Sequence, residues 1–492
     1  MSQQEQASRR ARLAALRERG IEPFPARVGP RTSIAEVRKS FAACPTATLE
    51  AQKPRVAVVG RVMANRSFGK LRFLDLVENG QRLQVSVRKG EIAESAHAIV
   101  LDLDVGDFIR AEGCLWRTRA GELTLALDSL DFLAKSLRPL PEKWHGLTDV
   151  EARFRQRYLD LLVNEPVRQA AYVRSRTIQE MRAFLDTRGF LEVETPILQP
   201  LYGGAAARPF QTHHNAYHQA LYLRISDELY LKRLVIGGLD RVYEIGRNFR
   251  NEGISRKHNP EFTMMECYQA YADYRDMMDL VEGMIPQLAR CVLGTTQIVY
   301  QGQAIELEGP WRRMSMRAAI LETTGIDVDQ AKDAAELAVL LRNNGIELAD
   351  EPTWALSVDA LFSEKVEPRL IQPTFITDYP LELSPLAKRS SEDSRLVERF
   401  ELFLAGFELA NAFSELNDPD DQRARFEAQR RAAAAGDQEA HPMDEAFLEA
   451  LEHGMPPTGG LGVGIDRLVM VLADVPSLRE VLLFPHMRHE QG

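Results

Sequence analysis

Two arginines three residues apart stand out in the middle of the sequence. The stretch RVYEIGRNFRNEG, residues 241–253, carries Arg247 and Arg250 in a run that otherwise reads as a strand. A solvated strand edge could carry such charges. A loop that binds phosphate could carry them as well, because the planar fork of a guanidinium matches the geometry of an oxyanion.

The next segment, GISRKHNPEFTMMECYQAYADY, predicts a loop followed by a strand with an unusual polar face. Phe262, Glu266 and Tyr268 have the same parity and therefore share one face of that strand. An aromatic ring, a carboxylate and a phenol are not what a core face requires, so this face is a candidate binding surface. The neighbouring Cys267 points the other way and is interpreted as a core thiol rather than a nucleophile.

A third arginine stands in a glycine-rich segment near the C-terminus. GGLGVGIDRLVMVL, residues 459–472, reads as a strand that enters a helix, with Arg467 at the junction. Glycines within a strand let a ligand or another backbone approach closely. The segment is therefore a candidate either for ligand contact or for close strand packing.

Three glutamates, Glu401, Glu408 and Glu415, recur at intervals of seven residues in FELFLAGFELANAFSELND. That interval would align them on one face of a helix but not on one face of a strand. A solvated row of carboxylates is the simplest alternative. Apolar neighbours such as Phe403 and Phe407 argue against it, because burying an unpaired charge is costly.

These candidate residues need a rigid scaffold, and the sequence predicts an α+β protein. Residues 55–133 contain five short strand patterns with a helical stretch between the third and the fourth, which indicates a Greek-key barrel of the OB type. From residue 150 onward, strands and helices mix without a βαβ rhythm. This predicts a mostly antiparallel sheet flanked by helices, and the lack of a GxxxxGK[ST] loop argues against a P-loop site.

The predicted domain boundaries follow these changes of pattern. They are an N-terminal helical extension over 1–54, an OB-fold barrel over 55–137, a proline-bearing linker over 138–149, and a catalytic domain over 150–492 with a helical insertion at about 315–370.

Strand alternation sorts the two faces of the predicted barrel. Leu74 and Leu76 belong to the core, which leaves Phe73 on the opposite, polar face. An aromatic ring there is a natural platform for stacking a base, worth about 1–3 kcal/mol. Packing of Phe73 beneath a loop is the alternative.

Composition indicates a globular protein, with 45% hydrophobic and 27% charged residues among 492. The first 140 residues carry 23 Lys and Arg against 16 Asp and Glu, so a basic module stands within a chain of net charge −10. A basic module is compatible with nucleic-acid binding, although an N-terminal segment can be basic for other reasons. No apolar run is long enough to span a bilayer, and four widely separated cysteines predict reduced thiols in a cytoplasmic protein.

Taken together, these segments resemble the three signature motifs of the class II aminoacyl-tRNA synthetases, and most closely those of the bacterial lysyl-tRNA synthetases. GFLEVETPIL, with Pro196 near its end, resembles the first motif, FRNEG…HNPEFTMMECY the second and GLGVGIDR the third. Their order, with ELYLKRL and FSELND between them, is more specific than any single motif. The resemblance covers nearly the whole chain. It implies a homodimer that activates lysine with ATP and transfers it to the terminal adenosine of tRNA(Lys).

The resemblance implies an ATP site that uses Mg²⁺ and no nucleophilic side chain. The matching ATP-binding positions are Arg250, Glu252, His258, Phe262 and Arg467, and the matching metal ligands are Glu401 and Glu408. Phe262 and Arg467 would sandwich the adenine, while Arg250 would hold the α-phosphate. Negative charge builds on the phosphoryl oxygens during in-line displacement, so fixed cations such as Arg250 and Arg467 would provide most of the catalysis.

The resemblance also implies a closed pocket for lysine. The matching positions are Gly204, Glu228, Arg250, Glu266, Tyr268, Asn411 and Glu415. Glu415 and Tyr268 would hold the side-chain ammonium, whereas Glu228 and the Gly204 carbonyl would lie near the α-amino group. A buried carboxylate without its cation costs about 3–5 kcal/mol, which would reject neutral analogues.

In the barrel, Arg66, Phe73 and Gln84 match the positions that read the anticodon, which is U-rich for lysine. Exposed single-stranded bases are read by stacking and by hydrogen bonds to their edges, which suits this face.

Two other functions compete with this interpretation. A transferase that attaches lysine or β-lysine to a protein would share the catalytic motifs, but such relatives lack the barrel. A non-catalytic tRNA-binding paralogue would be expected to lose Arg250, Arg467 or the metal carboxylates, and all of them are present.

Overall fold

The computed structural model describes residues 3–141, 147–331, 333–346, 353–434 and 440–488, apart from the side chain of Ser95. The chain forms two compact units, Met1–Thr148 and Asp149–Gly492. The predicted linker includes residues 142–146 and the predicted insertion includes residues 332 and 347–352, all of which lie outside the described residues. The exact domain boundaries remain a prediction.

The first unit contains a closed five-stranded barrel preceded by helices. Its elements are α1 (Gln3–Glu18), α2 (Ile34–Phe41), α3 (Thr46–Gln52), β1 (Arg55–Phe68), β2 (Leu71–Glu78), β3 (Gln81–Arg88), α4 (Glu94–Leu101), β4 (Phe108–Arg117) and β5 (Leu123–Ala134). The strands close in the order β1-β2-β3-β5-β4, with β3 and β5 parallel. The predicted OB-type barrel, with a helix between its third and fourth strands, is confirmed.

Alternation along the strands produces the two faces of the barrel. Leu74 and Leu76 of β2 and Leu83 and Val85 of β3 are almost completely buried in its core. Phe73 lies on the opposite face and is partly exposed, as the alternation predicted. The outer face of β2 is therefore free to carry polar and aromatic groups.

The arginines of α1 fasten this helix to the barrel. Arg9 is buried and donates hydrogen bonds to the carbonyl oxygens of Val105 and Ser136, at 3.0 and 3.2 Å. Arg12 forms an ion pair with Asp104. Part of the basic charge that suggested a nucleic-acid-facing arm is thus used within the unit itself.

The second unit alternates helices and strands around one large sheet. Its helices are α5 (Val150–Arg155), α6 (Arg157–Val163), α7 (Glu165–Asp186), α8 (Glu228–Ile236), α9 (Tyr274–Leu293), α10 (Met316–Thr324), α11 (Ala334–Asn343), α12 (Trp354–Leu361), α13 (Pro419–Ala434), α14 (Glu445–Glu452), α15 (Ile465–Leu472) and α16 (Leu478–Val481). Its strands are β6 (Leu191–Glu192), β7 (Leu198–Gln199), β8 (Gln211–His214), β9 (Gln219–Leu223), β10 (Arg241–Phe249), β11 (Glu261–Ala270), β12 (Gln297–Tyr300), β13 (Gln303–Glu306), β14 (Arg312–Ser315), β15 (Thr374–Pro380), β16 (Leu396–Leu404), β17 (Phe407–Ser414) and β18 (Thr458–Gly464).

The large sheet has the strand order β14-β15-β16-β17-β18-β11-β10-β6. Its central strands are antiparallel, and parallel pairing occurs only at the two ends, between β14 and β15 and between β10 and β6. Short hairpin sheets, β12-β13 and β7-β9-β8, accompany it. The predicted antiparallel sheet flanked by helices is confirmed.

One face of the sheet is a hydrophobic core, and the other face is open. Met265 and Cys267 of β11 are completely buried in the core formed with α7, α9 and α15. Phe262, Glu266 and Tyr268, which alternate with them, point to the opposite face. The core thiol predicted at Cys267 is therefore confirmed, and the open face is available for ligands. Within the described part of the chain, no helix is long and apolar enough to cross a membrane.

Candidate active site on the open face of the sheet

A cavity of about 880 Å³ lies on the open face of the large sheet. Its walls include every residue of this unit to which the resemblance assigns a role in binding or catalysis, namely Gly204, Glu228, Arg250, Glu252, His258, Phe262, Glu266, Tyr268, Glu401, Glu408, Asn411, Glu415 and Arg467. Residues up to 263 positions apart in the sequence, Gly204 and Arg467, thus line one space. The structure brings the predicted residues together, and their individual roles remain predictions.

The register of the sheet sets the floor of the cavity. Glu266 of β11 pairs with Gly462 of β18, which pairs with Asn411 of β17, which in turn pairs with Glu401 of β16. These residues form one row across four strands. Gly462 in the middle of the row has no side chain, so the polar groups on either side face a common space.

Gly460 is the glycine at which a side chain would do most damage. A Cβ atom built there would lie 2.0 Å from Glu415 Oε1 and 2.5 Å from Tyr268 Cε1. Glu415 and Tyr268 therefore occupy the volume directly above the backbone of β18. The missing side chain at Gly460 thus makes room for Glu415 and Tyr268, a use of the glycine-rich motif that its composition did not predict.

Arg250 lies at one end of the cavity, directly over an aromatic ring. Its guanidinium carbon is 5.1 Å from the ring centroid of Phe262, and its Nε is buried without a hydrogen-bond partner among the described residues. Burial lowers the pKa of Arg250, and the proximity of Arg467 acts in the same direction. A desolvated guanidinium of this kind gains strongly from an anion.

Arg467 lies at the same end and is oriented by a glutamate. Its Nη1 donates hydrogen bonds to the carbonyl oxygen and to Oε2 of Glu408, at 2.7 and 3.0 Å. His258 is nearby, with Nδ1 2.8 Å from Ser255 Oγ. Burial, followed by the field of Arg467, lowers the pKa of His258 and so favours its neutral form. The guanidinium next to the Phe262 ring in this structure is that of Arg250, while Arg467 binds Glu408.

Glu401 and Glu408 come together through a β-hairpin. Glu401 is on β16 and Glu408 is on β17, so the helical reading of their seven-residue interval is wrong. The interval instead spans a turn at Ala405 and Gly406, and the extra residue Leu409 on β17, between the pairs Leu402–Ala410 and Phe403–Glu408, shifts the register there. Strand pairing overrides a spacing that favours a helix when the intervening residues, here rich in Phe and Leu, suit a buried strand.

The two carboxylates have different electrostatic environments. Burial raises the pKa of Glu401 to about 7, against the opposing effect of Arg399. Its Oε2 accepts a hydrogen bond from the Tyr379 hydroxyl at 3.0 Å. Burial alone would raise the pKa of Glu408 as well, but Arg467, Arg399 and Arg250 together outweigh it and hold that pKa below its usual value.

This pair fits a magnesium ion that is shared with a nucleotide. Nowhere in the described chain do three or more His, Cys, Asp or Glu side chains form a metal-binding group. Mg²⁺ bound with a nucleotide needs only one or two carboxylates, because phosphate oxygens and waters complete its shell. Glu401 and Glu408 supply that number of carboxylates beside the arginines of the cavity.

Buried carboxylates dominate the opposite end of the cavity. Glu415, Glu228 and Glu266 are 1%, 4% and 5% exposed. Burial, opposed by Lys232 and reinforced by Glu228, raises the pKa of Glu415 to about 8. Burial and then Asp227 raise the pKa of Glu266 well above its usual value. A concentration of buried carboxylates favours a positively charged ligand.

Gly204 is required for the wall beside these carboxylates. Its φ of +85° is in the left-handed region that favours glycine. A Cβ atom there would lie 2.8 Å from Ser226 Oγ and 3.1 Å from Glu228 Cβ. Ser226 in turn donates a hydrogen bond to Glu266 Oε1 at 3.1 Å, so this loop connects two of the carboxylates.

Two basic residues of the cavity region escaped the sequence interpretation. Arg399 of β16 donates to Asn411 Oδ1 at 3.0 Å and to Ser384 Oγ at 2.8 Å, and it also contacts Glu401. Lys232 of α8 pairs with carboxylates at the opposite end. Both had a signal, because Arg399 has the parity of Glu401 on its strand, and Lys232 follows Glu228 by one helical turn.

Asp466 connects the glycine-rich motif to the rest of the site and was also missed. Its Oδ2 accepts a hydrogen bond from the Thr263 backbone amide at 2.9 Å, and its Oδ1 pairs with Arg174 of α7. The residue next to Arg467 therefore fixes α15 to both β11 and α7. Its position directly before a predicted functional arginine was the available signal.

The three predicted anticodon residues lie on the barrel. Arg66 of β1 pairs in register with Phe73 of β2, and Gln84 of β3 pairs with Asp75 of β2. Arg66 Nη2 donates to Asp75 Oδ1 at 2.9 Å. Phe68, which is 63% exposed, packs edge-on against Phe73 with 6.2 Å between the ring centroids. The structure thus groups the three residues on neighbouring strands of one face, beside a second exposed ring.

An antiparallel sheet with arginines at one end of its open face, buried carboxylates at the other and glycines between them is the catalytic architecture of a class II synthetase. A family profile described as tRNA synthetases class II (D, K and N) matches residues 149–488. The chain belongs to this family.

Full-length relatives extend the similarity across both units. The lysine–tRNA ligase of Moorella thermoacetica is 54% identical over 488 residues, which cover 99% of this chain and 98% of that protein. The lysine–tRNA ligase of Carboxydothermus hydrogenoformans is 53% identical over 97% of this chain and 96% of its own length. The lysine–tRNA ligase of Staphylococcus aureus is 50% identical over 98% of each chain.

Proposed function

We propose that the protein is a lysine–tRNA ligase. It activates L-lysine with ATP, forming lysyl-adenylate and releasing pyrophosphate, and then transfers lysine to the 3′-terminal adenosine of tRNA(Lys). The observation that carries the proposal is a buried glutamate, Glu415, in the same cavity as Arg250 and Arg467. The names and the coverage of the relatives support the same activity.

Catalysis of the first step rests on fixed positive charge and on orientation. A carboxylate oxygen of lysine attacks the α-phosphorus of ATP, and the bond to pyrophosphate breaks in line with it. Arg250, whose Nε has no partner among the described residues, binds the α-phosphate and the attacking carboxylate. Because Arg250 is held in place before the reaction, it stabilises the developing charge without reorganisation.

The remaining nucleotide contacts come from the same end of the cavity. Phe262 supplies a ring face for the adenine, Arg467 the opposite face, and Glu252 a contact at the adenine edge. His258 lies toward the outer phosphates. For Arg467 to cover the base, its guanidinium must keep or exchange its hydrogen bonds to Glu408.

Glu401 and Glu408 would hold Mg²⁺ together with the phosphates. The ion would neutralise part of the negative charge of the triphosphate. Glu401, with its pKa of about 7, becomes fully ionised as a cation approaches.

Recognition of lysine uses the acidic end of the cavity. Glu415 and Tyr268 bind the side-chain ammonium, Glu228, Glu266 and the Gly204 carbonyl lie near the amino groups, and Asn411 lies near the carboxylate. A neutral isostere would leave a buried carboxylate unpaired, at a cost of about 3–5 kcal/mol.

The barrel reads tRNA, and the protein acts as a cytoplasmic homodimer. Arg66, Phe73 and Gln84 contact the anticodon on the outer face of the barrel. The first-motif segment supports dimerisation because Leu191, Ile197 and Leu198 are 52%, 43% and 49% exposed in the single chain.

Pyrophosphate exchange with each of the twenty amino acids tests the proposal directly. Lysine should stimulate exchange far more than any other amino acid, and tRNA(Lys) should then be charged. Charging of a protein rather than tRNA would favour the competing transferase function. The absence of lysine-dependent exchange would contradict both.

Arg467→Ala tests the catalytic assignment within that assay. We expect exchange to fall by at least about a hundredfold, in line with the loss of a charge-stabilising donor. The matched control is Arg247→Ala. It removes an exposed arginine of β10, which pairs with Glu261 of β11, and should leave exchange unchanged. Wild-type exchange in the Arg467 variant would refute its role.

A further inference from the structure

Lys232 carries a buried positive charge next to two glutamates that line the acidic end of the cavity. Its side chain is fully buried, with Nζ 2.5 Å from Glu228 Oε1 and in contact with Glu415 Oε2. The two glutamates come from separate elements, Glu228 from the first turn of α8 and Glu415 from the segment after β17. One ammonium of the protein therefore bridges two of the carboxylates that face the amino acid.

Glu415 divides its two oxygens between the protein and the cavity. Neither oxygen has a hydrogen-bond partner in the described ranges, but Oε2 forms an ion pair with Lys232, whereas Oε1 lies over Gly460 on the cavity floor. A carboxylate that is held through one oxygen and open through the other is prepared to receive a second cation. The open oxygen is on the side where the ligand binds.

The charges in this group leave room for one further cation. Glu228 and Glu415 carry two negative charges and Lys232 one positive charge, so the group has a net charge of −1 when all three are ionised. Removing Lys232 would leave two neighbouring buried carboxylates, and such a pair resists double ionisation.

Other groups modify this balance without replacing Lys232. The charged groups that act on Glu228 include Asp227 before α8 and Arg399 on β16. Glu266 and Tyr268 of β11 interact with each other and with Glu228, and Tyr268 also interacts with Glu415. Farther out, Glu244 on β10 lies near Asp227, and the Arg233–Asp444 pair joins α8 to α14. From α14, the ring of Phe447 lies 6.0 Å from Nζ.

On the basis of the proposed lysine–tRNA ligase function, we propose that Lys232 is a positioning residue for amino-acid specificity. It favours the ionised form of Glu415 and orients this carboxylate so that the free Oε1 accepts the side-chain ammonium of the substrate. Lys232 acts through Glu415 and does not itself touch the substrate. The distinction between a charged amine and a neutral isostere therefore depends on a charge supplied by α8.

Lys232→Met tests this role by removing the charge and keeping the length of the side chain. In pyrophosphate exchange at pH 7, KM for lysine should rise at least about tenfold, whereas KM for ATP should stay within about twofold. The increase in KM for lysine should be smaller at pH 9, because Glu228 and Glu415 then ionise even without the positive charge of Lys232. The preference for lysine over its neutral isostere 6-hydroxynorleucine should also narrow at pH 7.

Two variants separate this effect from a loss of structure. Lys232→Arg keeps the charge and should restore the wild-type pH profile of KM for lysine. Lys135→Met is the matched control, because Lys135 is also buried between two carboxylates, Asp104 and Asp107, but lies in the barrel unit. It should leave KM for lysine unchanged even if its melting temperature falls by as much as that of Lys232→Met.

Either of two results for Lys232→Met would contradict the proposal. A KM for lysine that is unchanged in Lys232→Met, or a defect of the same size at pH 7 and pH 9, would contradict it. If Lys232→Met does not fold, Lys232→Gln and Lys232→Arg are compared instead. Only Lys232→Gln, which is neutral, should shift the pH profile of KM for lysine to higher pH. Failure of the lysine–tRNA ligase function is a separate result, because the wild-type protein would then show no lysine-dependent exchange.

Discussion

Under the proposed function, the acidic end of the cavity makes lysine binding depend on pH. Burial raises the pKa of Glu415 to about 8, so below that pH the carboxyl is largely protonated and cannot pair with an ammonium. The lysine side chain keeps its charge up to about pH 10. KM for lysine should therefore fall as the pH rises from 6.5 to 8, by about tenfold per pH unit at the low end, and then level off.

Steady-state pyrophosphate exchange between pH 6.5 and 8.5 measures this dependence. Glu415→Gln should bind lysine weakly and without the pH dependence. A flat KM for lysine in the wild-type protein would show that Glu415 is already ionised at pH 6.5.

The sequence predicted the site residues that belong to a recognisable motif, but it did not predict the residues with which they form ion pairs. The sequence interpretation identified Glu415 and Arg250, whereas Lys232 and Arg399 escaped it. The reason is physical, because a buried base within an amphipathic helix or strand looks like a solvated charge until its carboxylate partner is known. Long-range ion pairs such as Lys232–Glu415 depend on tertiary folding and leave no local pattern.

At the scale of elements, β18 is the strand on which the acidic end of the cavity, the proposed lysine site, depends. Its glycines allow the side chains of β11 and of the segment after β17 to lie over its backbone. Gly460→Ala would place a methyl group 2.0 Å from Glu415 Oε1 and displace that carboxylate. Loss of a charge-assisted hydrogen bond of about 1.5–3 kcal/mol predicts a rise in KM for lysine of about ten- to a hundredfold.

Gly464→Ala, on the same strand, is the matched control for that measurement. A Cβ atom at Gly464 finds its nearest neighbour at 3.6 Å, an ordinary contact, so KM for lysine should change by less than about twofold. Equal effects of the two alanines on KM for lysine would mean that strand flexibility, rather than space above Gly460, is what the glycines provide.

The order and type of most elements followed from the sequence because alternation and turn residues are local signals. The barrel strands, the glycine-rich strand entering α15 and the strand that carries Phe262 were all predicted. The hairpin of β16 and β17 was not, because a spacing of seven residues and strong helix formers such as Leu, Ala and Glu suit a helix equally well. Only pairing with β15 and β18 decides in favour of strands there.

At the scale of the whole molecule, two compact units divide the proposed reaction between them. The catalytic unit contains all the residues assigned to adenylate formation, and the barrel contains those assigned to the anticodon. Phe73→Ala removes a stacking surface worth about 1–3 kcal/mol per base. KM for tRNA(Lys) in aminoacylation should therefore rise by about five- to 150-fold, while pyrophosphate exchange without tRNA remains unchanged.

Phe24→Ala is the control for this separation, since Phe24 is another aromatic residue of the same unit, 44% exposed, that lies outside the barrel strands. It should change neither activity. If Phe73→Ala lowered both exchange and charging, the ring would be supporting the fold of the protein rather than binding a base. If it lowered neither, the neighbouring exposed ring of Phe68 would be the stacking surface, and Phe68→Ala should then produce the defect in charging.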